Sequence, residues 1–201
     1  MSRVVRTLVS LLLLFAAAGL YMWAVHTYHA RRLAAISSSI GLSPEEKVVK
    51  AAASLQGVLY DYSGGRLPSL GLLVCTDVPR LAYRAAGIDL DELMAADYRL
   101  HPKRYAFFPG NNPSTRYFAR RVVNQKVFFS DTGRLIKDCA APQPGDTVFY
   151  GDSHVSMVLA VYPDRTWDEI EAAPATVWVT IHRRKAWLPR DVGRFAHGEG
   201  A

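Results

Sequence analysis

The first pattern along the chain is a block without charge. Leu8 to Val25 is apolar apart from Ser10, and no Lys, Arg, Asp or Glu lies between Arg6 and Arg31. A helix over this stretch is long enough to cross a hydrocarbon core. A cleaved signal peptide would be shorter and would carry small residues at a cleavage site. Tyr21, Met22 and Trp23 stand there instead, and Trp and Tyr suit a membrane interface. The reading favours an uncleaved signal anchor over residues 1–30, with cleavage as the competing outcome. Residues 31–43 then read as a polar tether, 44–195 as one folded domain, and 196–201 as a tail.

Beyond the tether the pattern becomes that of a small globular domain. Ser43-Pro44-Glu45-Glu46 starts a helix: Ser43 caps, Pro44 fits the first position and Glu46 completes a capping box. Val48, Val49, Ala52 and Leu55 share a face, and Gly57 ends the helix. Val58 to Pro68 is a loop. The apolar run Leu72 to Val74 leads into Cys75, and Thr76 to Ala86 is helical, with Gly87 at its stop. Pro79 would crowd the Cys75 carbonyl in a regular helix, so the helix starts later than Cys75 or kinks. Ile88 to Leu100 predicts a second helix and 101–113 an irregular loop, with a short helix over Asn124 to Phe129. Thr147 to Tyr150, His154 to Tyr162 and Thr176 to His182 predict three strands. Helices early and an antiparallel meander late make an α+β pattern.

Composition narrows this picture only modestly. The 201 residues are half hydrophobic and 21% charged, which argues against disorder. The net charge of +6 comes partly from Arg3, Arg6, Arg31 and Arg32 around the apolar block. Another part is the cluster Arg183, Arg184, Lys185, Arg190 and Arg194. Such a cluster suits an anionic partner or a solvated face equally well. The aromatics among basic residues in 116–129 come in adjacent pairs, not as spaced platforms, so a core role is expected and no nucleic acid.

The candidate chemistry rests on Cys75 and His154. A thiol beside a helix start is favoured as thiolate, and an imidazole can take its proton and return it to a leaving amine. His154 opens a strand, His182 lies one strand later, and either His182 or Asp152 could orient the ring. Against this stand two alternatives. Cys75 can be an inert buried residue, and Cys75 and Cys139 can form a disulfide in an oxidising compartment. His26, His29, His101 and His197 read as incidental. No metal-ligand spacing is visible and no cofactor is expected.

The segment Tyr60 to Gly65, Val74-Cys75-Thr76-Asp77, Pro144-Gly145-Asp146 before a strand and His154-Val155 opening the next resemble the NlpC-type papain-like cysteine peptidases of bacterial cell walls. Arg84 to Leu90 and Arg120 to Asn124, with Phe128-Phe129, are similar to segments of an uncharacterised bacterial branch of that superfamily. The resemblance covers roughly Lys47 to Trp187. It implies a papain-like NlpC-type fold, with a nucleophile helix packed on an antiparallel sheet. It implies Cys75 as nucleophile, His154 as base, His182 as orienting residue, and Tyr60 and Asp77 at the substrate and oxyanion. Cys75-Thr76-Asp77 departs from the Cys-Ser usual in the superfamily.

The expected function is therefore a membrane-anchored thiol hydrolase cutting amide bonds in peptidoglycan stem peptides, with its domain on the periplasmic, extracytoplasmic side. The alternatives are a non-catalytic envelope-binding module on the same fold and a papain-like lipid acyltransferase. Oligomeric state is not encoded legibly.

Overall fold

A computed structural model describes residues 2–64 and 71–195. Among these residues, five α-helices precede a six-stranded antiparallel sheet. They are α1 (Arg3–Ser37), α2 (Pro44–Ser54), α3 (Asp77–Ala85), α4 (Leu90–Leu100) and α5 (Val122–Asp131), with a 3₁₀ turn at Pro102–Tyr105. The strands are β1 (Leu135–Cys139), β2 (Thr147–Tyr150), β3 (His154–Val161), β4 (Thr166–Ala172), β5 (Val179–Ala186) and β6 (Arg190–Gly193), in the spatial order β1-β6-β2-β3-β4-β5.

The helix boundaries follow local chemistry. Ser43 Oγ accepts from the Glu46 N–H while Glu46 accepts from the Ser43 N–H, so both halves of the capping box form. At the end of α3, Gly87 takes φ 86°, Gly87 N–H donates to Arg84 and Ile88 N–H to Tyr83. That pair of bonds satisfies the last free carbonyls of the helix and needs a residue without a Cβ clash. Pro79 is the third residue of α3, where an N–H would have had no intrahelical partner. The proline therefore costs no hydrogen bond, and the helix begins two residues after Cys75.

The core lies between the helices and one sheet face. Val48 and Ala52 of α2, Leu55 just after it, Val78 and Ala82 of α3, and Phe128 and Phe129 of α5 pack on Phe149, Val155, Met157 and Ile170. The alternate residues His154, Ser156 and Val158 point to the other sheet face. There a smaller cluster forms from Cys139, Val148, Val158, Trp167 and Val192.

Three expectations differ from the structure. The stretch read as a tether from residue 31 is helical to Ser37. Its Leu33 and Ile36 pack on the core, and a half-apolar pattern of that kind was masked by Arg31, Arg32 and the serines. The meander of three strands is a sheet of six. β4 was missed: 165–175 was assigned no element, and its acids Asp168 and Glu169 are buried and paired. The third expected strand starts later, at Val179, and Thr176 to Trp178 form the turn before it. The tail 196–201 lies outside the described residues, as does Gly65.

The basic cluster on β5 is matched by those acids. Arg183 pairs with Asp168 at 3.0 Å, Arg184 with Asp164 at 3.4 Å, and Lys185 with the buried Glu169. Arg194 pairs with Asp146 at 2.7 Å. Much of the positive charge is thus answered within the domain.

Gly193 joins β6 to both β1 and β2. A Cβ there would sit 2.6 Å from Cγ of Phe129, a ring with no exposed surface. Gly193→Ala is expected to lower stability by about 1–3 kcal/mol through overpacking, measured by chemical denaturation of the purified protein.

Candidate active site

Cys75 sits in a turn fixed from below. Asp77 N–H donates to the Val74 carbonyl at 3.0 Å, and Val78 N–H to the Cys75 carbonyl at 3.3 Å. The Asp77 carboxylate accepts from the Val74 N–H at 3.0 Å and pairs with Arg80 at 2.6 Å and with Arg120. Thr76 Oγ1 donates to the Arg120 carbonyl at 3.0 Å, and Gln125 Nε2 donates to the Thr76 carbonyl at 3.2 Å. Asp77, Thr76 and Arg120 are all buried, so the turn is held by charges with no access to water. Cys75 itself is half-buried and free, and Cys139 is buried and free on β1, so the structure holds no disulfide between them.

The segment Val58–Asp61 lies beside the approach to Cys75. Leu73 N–H donates to the Leu59 carbonyl and Asp61 N–H to the Leu73 carbonyl, at 3.0 and 2.9 Å. On its other side Tyr60 N–H donates to Val177 and Val179 N–H donates to Val58, both at 2.7 Å. Tyr60 is thereby clamped between the Cys75 turn and the start of β5. Burial raises its phenol above the ordinary range, and the charges of Cys75, Asp61 and Tyr62 raise it further. At neutral pH this hydroxyl stays protonated and is a hydrogen-bond donor.

His154 meets the thiol from the sheet. Burial alone would lower its pKa from the ordinary 6.5, but hydrogen bonds to Cys75 and Glu171, and the charges of both, push it up to about 9. The ring Nε2 lies 2.5 Å from Glu171 Oε2. Glu171 in turn is held below the usual carboxylate range, first by the hydrogen bond from His154 and against its own burial. Its other oxygen, Oε1, lies 2.9 Å from His182 Nε2. The result is a row: thiol, imidazole, carboxylate, imidazole. Such a row can pass the thiol proton to one ring nitrogen while a carboxylate fixes the other.

The sequence expectations meet this geometry unevenly. Cys75, Tyr60 and His154 come together. His182 touches Glu171 and reaches His154 only through it. Asp152 is exposed and pairs with Lys126 at 3.1 Å, away from the ring. Asp77 faces inward to Arg80 and Arg120, so it supports the turn and does not line the opening. His29, read as incidental, places Nδ1 2.8 Å from the Ser54 carbonyl. Glu171 was missed because its strand was missed. Its signal was the alternation of Glu169 and Glu171 with Ile170 and Ala172 between turn residues Pro163-Asp164 and Pro174. Elsewhere, Asp97, His101 and Asp131 bring ligand-type atoms within 4.8 Å of one another, but Tyr105 and Arg104 already engage their carboxylates.

A family model described as a domain of unknown function, DUF1287, matches residues 52–177. No curated protein matches the chain. Among solved structures, the P60 domain of an antigen from M. avium subspecies paratuberculosis is similar at 21% identity and a TM-score of 0.43. That match covers 75% of this chain and 93% of the other.

The pKa directions fix a pH dependence of stability. His154 is raised, so its contribution is fully present below pH 6.5 and is lost as pH rises through about 9. Wild type and His154→Gln should therefore differ most in denaturation midpoint just below pH 6.5, where Glu171 is still ionised, and converge above pH 9. A gap that widened in alkali would contradict the ion pair.

Proposed function

The chain belongs to the DUF1287 family, and we propose that this protein is a membrane-anchored thiol hydrolase of the cell envelope that cuts amide bonds in peptidoglycan stem peptides. The observation that carries the hydrolase reading is the row Cys75, His154, Glu171 where β3 starts and β4 ends, with the thiol half-exposed. The substrate class follows from the resemblance of the segments around Cys75 and His154 to cell-wall peptidases. The anchor is α1, whose residues 8–25 are long and apolar enough to cross a bilayer. Placing the domain on the extracytoplasmic side follows from that substrate.

In this reading the Cys75 sulfur attacks the amide carbonyl as thiolate, with His154 as imidazolium. The Cys75 N–H and the Tyr60 hydroxyl donate to the oxygen as it gains charge. The C–N bond breaks, the amine leaves with the proton from His154, and a thioester remains on Cys75. Water then attacks that carbonyl, giving its proton to His154; the C–S bond breaks and the acid is released. Glu171 is a positioning residue. It holds the ring tautomer and stabilises the imidazolium.

Full-length protein in detergent should release peptides from purified muropeptides, and Cys75→Ala should reduce this by about 10⁴-fold or more. Activity surviving that change would overturn the nucleophile assignment. An envelope-binding module would instead bind the same material without turnover in the wild type.

Glu171→Gln should lower kcat by about 10²-fold or more and move the alkaline limb of the pH profile below 9, because the imidazolium loses its anionic neighbour. His182→Gln leaves the Glu171–His154 contact in place and should cost less than about tenfold. Equal losses in both variants, with no shift of the limb, would show that Glu171 acts only through folding.

A further inference from the structure

The face of α1 that meets the domain runs Met22, Val25, His29, Leu33 and Ile36, all half-buried and three or four residues apart on one side of the helix. Leu33 and Ile36 touch the core, His29 meets the Ser54 carbonyl, and Lys47 Nζ donates to the Ser37 carbonyl at 2.9 Å. The helix is therefore fastened along four turns, with no flexible spacer between the apolar span and the domain. Met22 and Val25 lie inside the uncharged block itself. The covered face thus begins at a level that belongs to the bilayer.

The same contacts orient the domain. The start of α2 meets Ser37 and its end meets His29, eight residues or about 12 Å nearer the span. The segment after α2 carries Tyr60 and pairs with Val177 and Val179. Gly71, four residues before Cys75, rests on His26: a Cβ on Gly71 would lie 3.0 Å from the His26 Cβ. His26 immediately follows Val25, the last residue of the apolar run. The end of the domain that holds the Cys75 turn is therefore the end nearest the membrane.

That end carries an exposed apolar rim. Tyr62 is 64% exposed, Trp178 47% and Val177 40%. Val177 takes φ 66°, a conformation that costs a β-branched residue energy. Its carbonyl accepts from Tyr60 N–H, so the turn that presents Val177 and Trp178 is tied directly to the Cys75 site. On the helix, Trp23 and Tyr28, on either side of His26 in the sequence, are exposed, with Arg31 and Arg32 just beyond. Aromatics and basic residues in one band fit the headgroup layer.

We propose that Tyr62, Val177 and Trp178 seat in the headgroup layer, so that the Cys75–His154 pair works at the bilayer surface. This rests on α1 spanning the membrane.

Single cysteines test the placement in full-length protein in vesicles. Trp23→Cys, Tyr62→Cys, Trp178→Cys and Asp164→Cys would each be made in a Cys75→Ala, Cys139→Ala chain. Each would be labelled with an environment-sensitive fluorophore and exposed to a lipid quencher carried at headgroup depth. Asp164 lies at the far end of β3 from His154. Quenching at positions 23, 62 and 178 several-fold stronger than at 164 is expected. Quenching at 23 with none above the Asp164 level at 62 and 178 would overturn the proposal while leaving the span intact. No quenching at 23 would overturn the span and the proposal together. Independently of the cysteine background, Trp178→Phe in the otherwise natural chain should remove a component of tryptophan fluorescence that brominated lipid quenches. An unchanged quenchable fraction would also overturn it.

Discussion

The Asp77 carboxylate is the constraint on which the Cys75 region depends. One short acid, buried, answers two guanidiniums from different parts of the chain and the backbone N–H of Val74. A buried carboxylate paired with one buried and one part-buried guanidinium is a costly way to gain stability, and removing a partner leaves buried charge uncompensated. What this arrangement does fix is direction. With Val74 N–H and Arg120 on the same oxygen, the chain from 74 to 77 has one path, and the thiol has one exit. Arg120 brings the 116–121 loop with it, and Thr76 and Gln125 join α5 to the same point. The turn, the loop and two helices are thereby one unit.

The sheet answers that unit with a second shared acid. Glu171 divides its two oxygens between His154 and His182, while Glu169, two residues earlier on the same strand, takes Tyr150, Ser156 and Lys185. β4 thus supplies the negative charge that β5 consumes. The register makes this possible. Glu169 pairs with His182 and Glu171 with Thr180, so His182 is a diagonal neighbour of Glu171, within reach of a long side chain. The register shift opposite Trp167 and Glu169 places its extra residue in β5, between His182 and Lys185, where Arg184 takes φ 54°; Trp167 shares the face of Glu169 and Glu171 by ordinary alternation and joins the apolar cluster there.

What could be read from the chain beforehand was what short-range chemistry determines. The capping box at Ser43 and the Gly87 stop are local, and both are found where expected. β2 and β3 alternate cleanly and are also found. β4 was invisible because charge signals solvent only when it lacks partners, and its partners are supplied by β5 and β2 from elsewhere in the chain. The same reason hid Glu171 and made Asp77 look available. An acid next to a cysteine in sequence looks like part of the site. Its actual direction was set by Arg120, forty-three residues on, and no local pattern encodes that. The helical continuation beyond residue 30 failed to register for a related reason. Its apolar stripe is sparse, and only the partner surface of α2 makes it a stripe.

These long-range pairings also bear on how the thiol and the imidazole stay in register. Cys75 belongs to the helical half and His154 to the sheet, and the two halves meet mainly through apolar packing, which resists separation but is weakly directional. The Val58–Asp61 segment supplies the missing direction. It bonds to the Leu73 backbone on one side and to Val177 and Val179 on the other, so a backbone ladder runs from the Cys75 turn to the strand that carries His182. A shift of the helices over the sheet would have to break these bonds together. The half-exposed site can therefore stay open to solvent while its two halves remain fixed, because the rigidity comes from a strip of main chain beside it, not from closure over it.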